Sequence, residues 1–343
     1  MTLRGTLVGC GFFAENHLNA WRELAGVNLV AVCDLDAVKA ADAARKFGVP
    51  RAYTDAEEML VSEKPDFIDI VTTLPSHRPL VQLAARHGVA AICQKPFAAN
   101  LEDGTAMVRA CEEAGVPLMV HENFRWQQPL AAVRRVIDSG IVGTPFFGRI
   151  SFRHDWDVYS RQPYLAQDER FAIMDVGIHL ADVARFCFGE VRRISCAIQR
   201  VNPRIRGEDV ATMLLEHESG ATSVVDCSFH THLDPNPFPQ TLVDIDGDAG
   251  SIRLTEGYRM TVSANGRAET QIVDAPLRTW TERPWHVVQD SVVNIQRHWI
   301  GRLQEGALPD TSGADNLNVL KLVLAAYESA ERGEKITIAD RFA

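Results

Sequence analysis

Short apolar runs stand at residues 5–8, 29–33, 67–71, 90–93 and 118–120, each bounded by Gly, Pro, Asp or Asn. Runs that are apolar at successive positions predict strands buried on both faces. Between them the apolar residues recur at helical spacing. Residues 36–47 end at Gly48, and residues 79–87 end at Gly88. A glycine just past a helix supplies the left-handed cap. This alternation of strand and helix predicts a doubly wound parallel sheet.

The rhythm changes near Asn123. Helices are predicted over 130–138 and 175–187, with a strand over 147–153 between them. Strands follow over 194–201, 210–216 and 221–229, with Ser219-Gly220 as a turn. Asn265-Gly266 between 260–263 and 270–273 is a second hairpin signal. Consecutive hairpins predict an open, mainly antiparallel sheet. Helices over 287–303 and 315–332 make this second part α/β. The Pro-rich piece 234–239 reads as a surface loop. A chain of 343 residues exceeds what one core usually serves, so two domains are expected, 1–122 and 123–343.

Composition narrows the partners. The net charge is -10 with no basic run, which disfavours nucleic acid and anionic membranes. The seven Cys include no C-x-x-C pair, which argues against a disulfide framework and a zinc site. No stretch approaches the roughly 20 apolar residues of a membrane span, and the first apolar run leads directly into a glycine turn rather than a signal-peptide layout. A cytoplasmic protein with a small-molecule partner is expected.

Gly9-Cys10-Gly11-Phe12-Phe13-Ala14 has the G-x-G-x-x-A form, after a predicted strand and at the opening of a helix. That context points to a dinucleotide site. Gly9 permits the tight turn, Gly11 admits the pyrophosphate, and Ala14 lets the helix lie close to the strand. The helix N-terminus offers free N–H groups to the phosphates. Phe12 and Phe13 stand between and count as cofactor contacts. Asp34 ends the second run, where a carboxylate accepts from the ribose diol and repels a 2′-phosphate. No Arg follows it, so NAD is expected rather than NADP, with residues 1–122 as the NAD-binding Rossmann domain.

With these residues read, the chain resembles the glucose–fructose oxidoreductase, inositol dehydrogenase and rhizopine-catabolism (Gfo/Idh/MocA) family over nearly its whole length. The markers are Gly9 to Ala14, Thr73-Leu74-Pro75-Ser76-His77, Gln94-Lys95-Pro96, Asn123-Phe124-Arg125 and Asp175-Val176-Gly177-Ile178-His179. Two departures are visible. The family usually has Glu-Lys-Pro where this chain has Gln94-Lys95-Pro96. Its usual Gly-Gly pair before the Asp-x-Gly-x-His motif is replaced by Arg170-Phe171-Ala172-Ile173-Met174. The stretches 92–97 and 120–127 look similar to the D-apiose-oxidising members. The resemblance implies a homo-oligomer, dimer or tetramer, through the C-terminal sheet. It also implies a loop, Thr73 and Leu74 to His77, that runs under the nicotinamide, with Gln94 beside the cofactor.

Lys95 follows the run 90–93 at the carboxyl end of the parallel sheet, where ligands of such sheets bind. By spacing it is equally a surface Lys and a charge for a developing alkoxide; the resemblance favours the second. A cis bond to Pro96 is compatible with the sequence but not readable from it. Asp175 and His179 are four apart and share one helix face. His179 can accept a proton at neutral pH. Asp175 either holds a neighbouring substrate hydroxyl or orients His179, and Asp182 is a structural partner for His179. His77 contacts cofactor or substrate, or starts a helix capped by Ser76. Asn123 bonds the nicotinamide side or a substrate hydroxyl. Arg125 binds substrate or pairs with Glu122. Arg153, Asp155 and Tyr164 are further substrate candidates. His230 and His232 put two rings on one strand face, yet no ligand cluster accompanies them and no metal is expected.

The reading is an NAD-dependent sugar dehydrogenase, oxidising the anomeric hydroxyl of an aldose such as D-apiose to a lactone. Either Lys95 or His179 is the base. The alternatives are a cyclitol dehydrogenase giving a ketone, a glycosidase that retains NAD, and a non-catalytic NAD-bound regulator.

Overall fold

The computed structural model describes residues 2–342. Two compact units are present: the chain up to Asn123 together with Ser291–Leu320, and Phe124–Asp290 together with the chain from Lys321 onward.

In the first unit, strands β1 (Leu3–Val8), β2 (Val27–Cys33), β3 (Arg51–Tyr53), β4 (Phe67–Ile70), β5 (Ala90–Gln94) and β6 (Leu118–His121) alternate with helices. The helices are α1 (Ala14–Glu23), α2 (Ala37–Phe47), α3 (Ala56–Glu63), α4 (His77–Arg86) and α5 (Leu101–Ala114). Among the described residues the sheet order is β3-β2-β1-β4-β5-β6, every pair parallel. This is the doubly wound order with its switch point between β1 and β4. The strands β4, β5 and β6 are buried at every position, as covering on both faces requires.

Local signals explain most helix ends. The Asp36 carboxylate accepts from the N–H groups of Val38 and Lys39, and Gly48 closes α2 at φ +68°. Ser76 departs from its expected role. A short 3₁₀ turn, Leu74–Ser76, runs directly into α4, and the Ser76 hydroxyl bonds Thr72 and the Thr73 carbonyl instead of capping. Strand β3 has only three residues, and the helix after it bunches Met59, Leu60 and Val61 together instead of spacing its apolar residues along one face, so neither is visible as a pattern.

The second unit opens with α6 (Gln128–Asp138) and β7 (Pro145–Arg153). Helix α7 (Ile178–Phe188) begins three residues later than expected, because Ile173–Gly177 forms a π-helical turn in which the N–H of Ile178 reaches back to Ile173. The strands β8 (Val191–Gln199), β9 (Val210–His217), β10 (Thr222–Ser228), β11 (Leu242–Gly247), β12 (Gly250–Thr255), β13 (Arg259–Ala264) and β14 (Arg267–Ile272) follow. After helices α8 (His286–Glu305) and α9 (Gly313–Arg332), β15 (Ile336–Thr337) completes the sheet. Among the described residues nine strands run β14-β13-β12-β11-β7-β10-β9-β8-β15, antiparallel except for β7 with β10. The expected open, mainly antiparallel sheet is therefore present.

Strand β7 shows how the sheet is oriented. Gly148, Ile150, Phe152 and His154 alternate onto one face. A Cβ on Gly148 would lie 2.2 Å from the ring of Phe188, so α7 covers this face closely. Phe147, Arg149, Ser151 and Arg153 occupy the other. The piece 234–239 is less exposed than a surface loop: Phe238 is buried against Phe152, His154, Trp156 and Trp285. Among the described residues no helix is long and apolar enough to cross a membrane.

The turn after β1 yields a stability prediction. Gly9 has φ +95°, and a Cβ there would meet the Val71 carbonyl at 2.3 Å. Gly9→Ala should cost about 1–3 kcal/mol from backbone strain alone. Urea unfolding of the variant without cofactor checks this, and an unchanged midpoint would show that the turn adapts.

Candidate active site

The cofactor end of the first unit is built around that turn. Gly11 has nothing within 4 Å of where a Cβ would stand, so its backbone faces open space. Ala14 is buried beneath the start of α1, and Phe12 stands out into solvent at 48% exposure. The Asp34 carboxylate accepts from the Cys10 N–H at 2.7 Å and from the Asp36 N–H at 2.9 Å. It is thereby fixed at the end of β2, beside the glycine turn. Open backbone, a helix N-terminus and an anchored carboxylate fit a dinucleotide with a free 2′-hydroxyl.

Beneath Lys95 lies a buried polar chain. Asp69 accepts from His17 Nδ1 and Trp21 Nε1, both at 2.7 Å. The Gln94 amide donates to His17 Nε2 at 2.7 Å and to His121 Nδ1 at 3.3 Å, while its oxygen accepts the Lys95 N–H at 3.2 Å. Lys95-Pro96 is cis. His77 is buried, with Nδ1 3.0 Å from the Pro96 carbonyl and Nε2 3.2 Å from that of Thr72. Its ring braces the Thr72–Thr73 backbone against the Lys95–Pro96 loop. Burial pulls its pKa below the ordinary imidazole value. The Asn123 amide donates to Ser291 at 2.6 Å.

The second unit carries Asp175 half-buried in the π turn and His179 in the first turn of α7. The His179 ring lies flat on Phe124, 4.0 Å between centroids and 3° between planes, which fixes its orientation. Asp182 receives Arg125 through Nε at 2.6 Å and Nη2 at 2.5 Å. Arg125 is therefore a partner of Asp182, an ion pair the sequence reading did not include. Arg153 projects from the open face of β7 and bonds Asp226 together with Arg149 and Ser151, away from the face that α7 covers. Asp155 is held by His232 at 2.6 Å and by Asn236, and its pKa is lowered chiefly by the His232 hydrogen bond. His230 and His232 lie beyond the end of β10 rather than on it. Among the described residues no three His, Cys, Asp or Glu form a group able to hold a metal.

His154 was missed in sequence. It is 1% exposed, its Nδ1 accepts the Trp156 N–H at 3.0 Å, and its Nε2 has no hydrogen-bond partner among the described residues. With Nδ1 accepting, Nε2 carries the proton and presents an unused donor. Desolvation lowers its pKa to about 4, against the opposing charges of Asp155 and Asp175. Asp175 also raises the pKa of Tyr164, to about 12 with desolvation as the larger cause, and that of Asp168. Asp175, His154 and Tyr164 thus share one electrostatic environment. The signal was available: His154 continues the inward alternation of Ile150 and Phe152.

Residues 3–122 match the model of an oxidoreductase family with an NAD-binding Rossmann fold, and residues 130–253 match the GFO/IDH/MocA C-terminal domain. The chain belongs to the Gfo/Idh/MocA oxidoreductase family. It is 55% identical over 335 residues to a D-apiose dehydrogenase of Paraburkholderia graminis, covering 98% of this chain and 89% of that protein. It is 52% identical over 336 residues to a D-apiose dehydrogenase of Rhizobium rhizogenes, covering 98% and 97%. An oxidoreductase from Agrobacterium radiobacter, crystallised with NAD+, L-tartaric acid and magnesium, shares 51% identity and a TM-score of 0.98 over the whole of both chains. The present chain is an NAD-dependent oxidoreductase, as its turn and Asp34 indicated.

His154 predicts a pH dependence. Its folded pKa near 4 lies below an unfolded value of about 6.5, so the unfolded chain binds the proton first as pH falls. The neutral ring's contribution is complete above the unfolded value and is lost on acidification toward pH 4. Between pH 7.5 and pH 5 this group should cost about 2 kcal/mol, and His154→Phe should remove that loss. Urea midpoints at the two pH values test it; parallel losses in both proteins would refute the assignment.

Proposed function

We propose that this chain oxidises the anomeric hydroxyl of an aldose to a lactone, with D-apiose as the substrate. The observation that carries the proposal is more than 50% identity, over nearly the full length, to two proteins named D-apiose dehydrogenase. The first unit binds NAD through Gly9, Gly11, Phe12, Phe13 and Asp34, with Thr73, Leu74, Gln94, Lys95 and Asn123 toward the nicotinamide. His77 supports them through the backbone it braces. The second unit, Phe124–Asp290 with the chain from Lys321, binds the sugar and assembles the oligomer.

When bound, NAD would supply the acceptor for the hydride that leaves the carbon bearing the hydroxyl. The Lys95 ammonium stabilises the alkoxide that develops on the substrate oxygen. His179, its ring plane set by Phe124, accepts the hydroxyl proton. Asp175 holds a neighbouring sugar hydroxyl as acceptor, and the Nε2–H of His154 donates to a sugar oxygen. A buried donor left unused costs about 1–3 kcal/mol, which a substrate oxygen relieves. Tyr164, protonated at neutral pH, and Asp155 supply further polar contacts. Arg125 and Arg153 act through Asp182 and Asp226 rather than on the sugar.

A homo-oligomer forms through the open sheet face, where Val224 and Leu214 pair across β10 and β9, Phe147 lies on the same face of β7 two positions along, and all three remain partly exposed. The protein works in the cytoplasm. Light scattering should give two or four times the chain mass, and a monomer at micromolar concentration would remove this part of the proposal.

Lys95→Met should lower turnover by roughly a thousandfold while NAD still binds, because the lost charge acts on the transition state. NADH absorbance across aldoses, branched pentoses and cyclitols tests the substrate. D-apiose should be the best substrate, with lactone as product. A clean rate with an inositol and none with aldoses favours the ketone-forming reading, and turnover of a glycoside without free NADH favours the NAD-retaining glycosidase.

A further inference from the structure

We propose that Glu208 is a positioning residue that sets the π-helical turn carrying Asp175, and with it the aim of Asp175 and His179. The inference rests on the reading of those two residues as substrate contacts.

A π-helical turn is a poor local structure, and its N-terminal N–H groups need partners from elsewhere. Here those of Phe171, Ala172 and Ile173 go to one residue, while Met174 N–H meets the Tyr327 hydroxyl and Asp175 N–H the Phe171 carbonyl. The Glu208 carboxylate accepts from Ile173 N–H at 3.0 Å through Oε1 and from Phe171 N–H at 3.2 Å through Oε2. The Glu208 carbonyl accepts from Ala172 N–H at 3.1 Å. A carboxylate at this end also meets the positive pole of the turn. Glu208 is itself held: the Tyr327 hydroxyl donates to Oε1 at 2.7 Å, and the Arg170 guanidinium lies over the Tyr327 ring at 4.7 Å. Burial and the adjacent carboxylate raise the Tyr327 pKa, so it stays a donor.

The segment bearing Glu208 is equally constrained. Asp209, wholly buried, accepts the N–H groups of Val201 and Asn202 at 2.7 and 2.9 Å, which closes the loop between β8 and β9. A Cβ on Gly207 would lie 2.7 Å from the Asp168 carbonyl, so this loop runs directly against the backbone leading to the π turn. Three N–H groups at the turn's start are therefore held by one side chain and its carbonyl, and Tyr327, which bonds that side chain, holds a fourth.

Glu208→Gln keeps one acceptor and turns an NH2 toward a backbone N–H. Tyr327→Phe removes only the hydroxyl, and serves if the Glu208 variant fails to fold. The single-turnover rate of NADH formation, per NAD site counted by titration, is measured with the sugar KM. The expected result is a rate loss of about tenfold for Glu208→Gln and about threefold for Tyr327→Phe, because a small misaim of a reacting group is costly. NAD affinity should stay within about twofold, since the cofactor contacts lie in the other unit. Wild-type rates in both variants, whatever happens to the melting temperature, would overturn the inference. Asp175→Asn is run beside them. Full activity in that variant removes the reading of Asp175 and this inference with it. Loss there, with both clamp variants at the wild-type rate, overturns the clamp alone.

Discussion

Asp69 has no exposed surface, so its carboxyl group must find hydrogen-bond partners inside the protein. A carboxylate taken out of water costs several kcal/mol unless hydrogen bonds replace its hydration. His17 and Trp21 of α1 both donate to its Oδ2, while Oδ1 has no hydrogen-bond partner among the described residues, so the helix that opens at the dinucleotide turn is tied to the sheet through one buried oxygen. The same requirement recurs in the second unit. Asp182 takes Arg125, Asp226 takes Arg149, Ser151 and Arg153, and Glu208 takes the start of the π turn. In each case the side chain that satisfies the buried charge loses its freedom, and the backbone beside it becomes precise.

This explains how Gln94 works in a position where the family usually has Glu. The amide gives two N–H bonds to His17 and His121 and accepts the Lys95 N–H with its oxygen. A second carboxylate there would face the histidines behind which Asp69 already sits. The neutral amide links both histidines and the Lys95 N–H without adding a further charge to the buried cluster. Lys95 keeps a fixed backbone while the substrate-side chemistry is left to the ammonium.

The second unit divides its polar residues between the two faces of β7. The face covered by α7 carries Phe152 and His154, in the environment of Asp175. The open face carries the Arg149, Ser151 and Arg153 group on Asp226. Period-2 alternation contains this division, and reading it strictly would have moved attention from Arg153 to His154. The charged residues drew attention because polarity alone was weighed, whereas here the buried neutral imidazole holds the unused donor.

Much was legible without coordinates because it depends on neighbours in sequence. The glycine turn, Asp34, the helix caps at Gly48 and Gly88, and the strand-helix alternation are local, and each is present. The hairpins at Gly220 and Asn265-Gly266 were equally readable. What remained hidden depends on residues far apart. The return of Ser291–Leu320 to the first unit, the pairing of Arg125 with Asp182, and the burial of Phe238 arise from packing between distant segments. The π turn is the sharpest case. Four-residue spacing suggested one continuous helix from Asp175, but three N–H groups are held by Glu208, over thirty residues away. Local propensity chose the elements and the cofactor. Only the tertiary structure decided which buried charges met which donors, because desolvation is felt only once the chain has closed around them.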